Sequence, residues 1–124
     1  MLIEFDYRDD VCILRPRGRF VTGLDAAYLR SKTDEVRSSG CRKVLADFRD
    51  VPYVDSTGIG FLVGVYTTVT NAGGRFVIVG PHPRVREVLD LTRLSTVMHI
   101  AADEAAGLAY LHAIEPAAQI AKQK

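Results

Sequence analysis

A chain of 124 residues, 48% hydrophobic and 25% charged, is the size of one domain and holds enough apolar side chains to bury a core without covalent staples. Sixteen basic against fifteen acidic residues leave a formal net charge of +1, too weak a field to gather nucleic acid or an anionic membrane. No apolar run approaches the roughly 20 residues of a membrane span and no export leader opens the chain, so it reads as cytoplasmic.

The chain opens with two β-forming runs, Leu2 to Tyr7 and Val11 to Arg17, split by the polar Arg8-Asp9-Asp10, which predicts a hairpin. Thr22 stands three residues before Asp25 in capping-box order, and Ala26, Leu29, Thr33 and Val36 recur at helical spacing until Ser38-Ser39-Gly40. Lys43 to Phe48 is long enough for a strand and too short for a helix. After a loop at Pro52 comes Asp55-Ser56-Thr57-Gly58, and then Ile59, Leu62, Val63, Tyr66 and Val69 predict a second helix, closed by Asn71-Ala72-Gly73-Gly74.

Arg75 to Gly80 predicts another strand, and Pro83 with Val85, Val88 and Leu89 a third helix. Val97 to Ile100 is a last short strand, and Asp103-Glu104 open a final helix carrying Ala105, Leu108 and Leu111. Strands that alternate with helices imply parallel crossovers, hence an α/β fold: a mixed sheet of about five strands, begun by the hairpin and covered by about four helices. Residues 1–115 make the domain and 116–124 a frayed tail.

Cys12 and Cys41 stand in unlike settings with no C-x-x-C spacing and are expected as separate buried thiols. His82, His99 and His112 are scattered and form no zinc pattern. Chemistry therefore concentrates at the strand-to-helix turn, where Gly58 and Gly60 leave backbone N–H groups accessible and either Asp55 or Ser56 suits the N-cap. A nucleophile elbow fails because Val54 holds its first glycine position, and a dinucleotide fingerprint fails because Gly64 comes one place late after Gly58 and Gly60. A metal or phosphoacceptor corner of Asp47, Asp50 and Asp55 competes with solvated loop carboxylates, and Asp47 could instead orient the neighbouring turn.

Val54-Asp55-Ser56-Thr57-Gly58-Ile59-Gly60-Phe61-Leu62 resembles the signature of STAS domains, specifically of bacterial anti-sigma factor antagonists. Gly73-Gly74-Arg75-Phe76, Val85 with Val88-Leu89, Leu91-Thr92 with Leu94, and Asp103-Glu104-Ala105 follow in the same order, so the resemblance spans Val11 to Leu111. It implies the STAS fold and a binding protein that is not an enzyme and needs no cofactor. It also implies partners: an anti-sigma factor serine kinase, which would phosphorylate Ser56 and so release the antagonist, and a phosphatase that resets the cycle. The alternative to this switching reading is a non-switching STAS scaffold or sensor module in a stress-signalling assembly. One departure is Val21 in the loop Gly18-Arg19-Phe20-Val21, where soluble antagonists often carry an acid, and it bears on kinase choice. The implied interface comprises Asp55, Ser56, Thr57, Gly58 and Ile59, with Phe20, Val21, Phe61 and Val65 as apolar contacts; for Phe61 and Val65 the alternative is burial against a neighbouring helix.

Overall fold

The computed structural model describes residues 2–18 and 26–112. A five-stranded sheet runs β1 (Leu2–Arg8), β2 (Val11–Arg17), β3 (Lys43–Asp47), β4 (Arg75–Val79), β5 (His99–Ala101), with spatial order equal to chain order. β1 pairs antiparallel with β2 as the expected hairpin, and every later pair is parallel. The helices are α1 (Ala26–Ser39), α2 (Ser56–Asn71), α3 (Pro83–Leu91) and a further helix, α4, over 104–112.

Topology decides which face each helix covers. Crossovers of one hand between strands laid down in sequence all fall on the same side of a sheet. Leu29 and Val36 of α1, Leu62 and Val69 of α2, and Val85 and Leu89 of α3 accordingly share one core with Cys12, Leu14, Val44, Ala46, Phe76 and Ile78. The alternate strand residues, Val11, Ile13, Leu45, Val77 and Val79, face the other way and would meet water without a cover. α4 supplies it, through Leu111 and the half-buried Leu108 and Tyr110. Its close seat requires Gly107, where a Cβ would stand 2.5 Å from Cγ1 of Val79. Covered on both faces, β3 has no exposed residue, which is why its sequence lacks the alternation of the half-exposed β1.

Three expectations change. The last strand is His99–Ala101, because Leu94–Thr96 form a 3₁₀ turn and Val97 leaves it exposed. Cys12 and Cys41 are not separate thiols: β2 and the segment before β3 bring their Cα atoms to 6.2 Å, joined by a disulfide. Val63, read as part of the buried stripe of α2, is 39% exposed, whereas Phe61 at 5% and Val65 at 0% lie in the core. The frayed tail expected over 116–124 lies outside the described residues.

Candidate functional site at the turn into α2

The turn lies beyond the C-terminal end of β3, the end at which α/β sheets present their loops to ligands. A sheet whose strand order never reverses has no switch-point crevice, so this end offers a surface rather than a cleft.

Asp55 is the cap. Its backbone is extended, with φ −103° and ψ −166°, and its Oδ1 accepts the N–H groups of Thr57 at 2.9 Å and Gly58 at 3.3 Å. Its carbonyl accepts the N–H of Ile59 at 3.0 Å, closing the first turn. Val54, 1% exposed, anchors the chain just before it. Ser56, the first helical residue, is exposed, Thr57 and Ile59 are half-buried, and Gly58 is buried. The two candidate caps therefore divide the work: a carboxylate holds the helix start and the serine hydroxyl is left facing solvent. Asp55→Ala removes both side-chain hydrogen bonds and is expected to cost about 1 kcal/mol of stability by urea unfolding, with the fold retained.

Of the sequence-predicted site residues, Asp55, Ser56, Thr57, Gly58 and Ile59 are contiguous in this turn. Phe61 and Val65, one helical turn and two turns on, are buried in the core between α2, α1 and the sheet, as the alternative reading had it, and Phe61 also lines the groove beside the turn. Phe20 and Val21 lie outside the described residues. Beside the turn, Leu29, Arg30 and Thr33 of α1 and Thr57, Gly60 and Gly64 of α2 line an open groove of about 310 Å³.

The loop that carries the turn is pinned at Asp47 through arginines the sequence reading did not single out. Asp47, 5% exposed at the end of β3, accepts Nη1 of Arg15 at 2.6 Å, Nη2 of Arg49 at 2.7 Å and the backbone N–H of Arg49 at 3.1 Å. Glu104 of α4 accepts Nη2 of Arg15 at 2.9 Å and Nη1 of Arg8 at 2.7 Å, extending the network to the second layer. Burial alone would push the Asp47 carboxyl up, but the hydrogen bonds and charge of Arg49 and the charge of Arg15 outweigh it and hold it below the ordinary aspartate value. Arg49 crosses Gly80, where a Cβ would lie 2.4 Å from its Cγ, and the positive φ of +62° also favours glycine there. Nε2 of His82 donates to the Arg49 carbonyl at 2.7 Å, and the Asp50 carbonyl accepts the Gly18 N–H at 3.2 Å. Arg15, a half-buried charge that follows the apolar run Val11 to Leu14 of β2, was the available signal that a buried acid stood opposite it.

Asp47 thus has its carboxylate taken up by Arg15 and Arg49 and holds the loop that leads to the turn, the orienting role one sequence reading gave it. Among the described residues no cluster of three His, Cys, Asp or Glu side chains is placed to hold a metal ion, and no helix is long and apolar enough to cross a membrane.

The STAS domain family model matches residues 3–107. A relative from Thermotoga neapolitana, provisionally named an anti-sigma factor antagonist, is 34% identical over 100 residues, covering 77% of this chain and 87% of the relative. The crystal structure of a Thermotoga maritima protein with the same provisional description superposes with a TM-score of 0.80 at 26% identity, over 89% of this chain and 94% of that one. The anti-sigma factor antagonist SpoIIAA in its unphosphorylated form shares the fold, with a TM-score of 0.73 at 18% identity over 90% of this chain and 97% of its own. Its phosphorylated form matches with a TM-score of 0.66 at 20% identity, over 85% and 96% of the two chains. With a fold, a signature turn and relatives that agree, the chain belongs to the STAS domain family, within its anti-sigma factor antagonist group.

Proposed function

We propose that this chain is a cytoplasmic partner-switching protein: it docks on an anti-sigma factor serine kinase, frees the sigma factor, and is released when the kinase phosphorylates Ser56. The observation that carries this reading is the division of labour at the turn, where Asp55 caps α2 and Ser56 stays exposed. A hydroxyl so placed can be approached by a kinase without unfolding the domain. In the transfer, the Ser56 oxygen forms a bond to the γ-phosphorus of ATP held by the kinase, the bond to ADP breaks, and the hydroxyl proton passes to a base of the kinase. The product carries about −1.5 to −2 charges at neutral pH. That charge suits the positive end of α2, so the free domain tolerates it, while in the docked interface the same charge is desolvated against acidic groups of the partner once the base has given up its proton, and this drives the pair apart.

The docking surface is the first turn of α2 with the adjoining groove, where Gly60 is exposed and a Cβ added there would meet nothing within 4 Å. A partner phosphoserine phosphatase would reset the cycle by hydrolysing the Ser56 phosphate. SpoIIAA, solved both with and without phosphate, supports the same two-state use of the fold.

The test is site-mapped mass spectrometry after incubation with the cognate kinase and ATP. One phosphate is expected on Ser56 in the wild type and in Thr57→Val, and none in Ser56→Ala, which keeps tight binding to the kinase. Phosphate retained by Ser56→Ala would assign the wrong hydroxyl. A wild type that binds and is never phosphorylated would favour the non-switching scaffold.

A further inference from the structure

Cys12 and Cys41 lie where the topology forces them together. Cys12 is the second residue of β2 and pairs in register with Val44 of β3, and Cys41 stands three residues before Val44, in the segment that brings the chain back from α1. Their Cα atoms are 6.2 Å apart, inside the roughly 4.4–6.8 Å span that a disulfide bridges without moving the backbone. The two sulfurs differ in access: Cys12 is 0% exposed beneath α1, and Cys41 is half-buried at the surface. Ser39, in the last turn of α1, ties the region together. Its Oγ donates to the Val36 carbonyl at 2.7 Å, accepts the Cys41 N–H at 3.3 Å and lies 4.0 Å from the Cys12 sulfur.

We infer that Cys12 and Cys41 form a reversible redox pair, in which the accessible Cys41 is the site of modification by an oxidised low-molecular-weight thiol and the buried Cys12 resolves the adduct. The Cys41 thiolate attacks one sulfur of the small disulfide, forming a mixed disulfide and expelling one thiolate. The Cys12 thiolate then attacks the Cys41 sulfur, closing the internal bridge and expelling the second. Two protein thiols lose two protons and two electrons, and one small disulfide becomes two small thiols. Excess dithiol runs the exchange backwards.

The bridge acts as a brace. It closes a loop between residues 29 apart in sequence and fastens the return from α1 to the middle of the sheet. Both cysteines sit at the N-terminal ends of parallel strands, opposite the end that carries Ser56. Oxidation therefore changes how firmly the domain holds together and leaves the phosphorylatable turn as it was. This inference uses no property of the kinase, so it stands or falls apart from the function proposed above.

The experiment compares purified protein equilibrated in glutathione disulfide with protein in excess dithiothreitol, by alkylation in denaturant, mass spectrometry and thermal unfolding. The oxidised protein should lose both alkylatable thiols, carry no glutathione, and melt about 10 °C above the reduced form. Cys12→Ala should keep a glutathione adduct on Cys41, having lost the sulfur that displaces it, and Cys41→Ala should stay unmodified at Cys12. Two free thiols in wild type after oxidation would overturn the inference, and so would a stable adduct on Cys12 in Cys41→Ala. The wild-type thiol count decides the matter even where either variant folds poorly.

Discussion

Ser56→Asp is expected to weaken binding to the anti-sigma kinase by at least about 100-fold, since a like charge pressed into an interface costs several kcal/mol. The thermal midpoint should stay within about 2 °C of wild type, because exposed substitutions typically change stability by no more than about 0.5 kcal/mol. The asymmetry comes from the geometry of the turn. Asp55 already satisfies the N–H groups of Thr57 and Gly58, so the helix start does not depend on Ser56. A carboxylate at the first helical position adds a modest favourable interaction with the helix dipole in the free protein. In the proposed complex the same carboxylate would face the base that the kinase brings to the hydroxyl. Titration calorimetry against the kinase, with a melting curve of the free variant, reads both halves. Undiminished binding would remove the turn from the interface, and a collapse of the melting temperature would show that the Ser56 environment is closed rather than open.

How much of this was legible in the sequence depends on the range of the interaction. The turn could be read because its parts are adjacent: an acid suited to capping, a hydroxyl beside it and glycines within the next turn. The order of strands and helices could be read because short apolar runs alternate with helical spacing. The buried face of α2 could not, because from Ile59 to Val69 the helix is apolar almost all round and several stripes compete. The structure buries Gly58, Phe61, Leu62, Val65 and Val69, sharing only Leu62 and Val69 with the expected stripe, since α1 packs against one flank of α2 and turns that side inward. The Cys12–Cys41 pair was invisible for a different reason: their separation becomes a contact only once β2 and β3 are laid in parallel register. The network at Asp47 joins residues up to 96 positions apart, and its one trace in the sequence is the charge of Arg15 among the apolar residues of β2.

That network carries the second large effect. Asp47→Ala is expected to lower stability at neutral pH by about 2 to 3 kcal/mol, somewhat under the 3 to 5 typical of breaking a buried ion pair, because Arg49 is 56% and Arg15 24% exposed and water can take up part of their charge. For a domain of this size that is a fall of roughly 10 °C in the melting temperature. Asp47→Asn, which keeps the shape and one acceptor oxygen, should lose less. The effect must depend on pH with a definite sign. The Asp47 carboxyl is held below its ordinary value in the folded protein, so its stabilising contribution is complete above the unfolded value of about 3.9 and disappears as the pH falls through the folded value. The gap between wild type and Asp47→Ala should therefore be flat from pH 7 to about pH 5 and should narrow in stronger acid, where the wild type loses what the variant already lacks. Urea midpoints for both proteins from pH 7 down to pH 2.5 measure this directly. A gap that persists undiminished at the acid end would mean that Asp47 acts through packing and not through its charge. Arg49 is also where His82 meets the loop, and the neighbouring Asp50 carbonyl holds Gly18, so freeing Arg49 loosens the support of the Ser56 turn from both sides. Kinase affinity of folded Asp47→Ala should accordingly drop several-fold although Asp47 itself is too deeply buried to touch the partner.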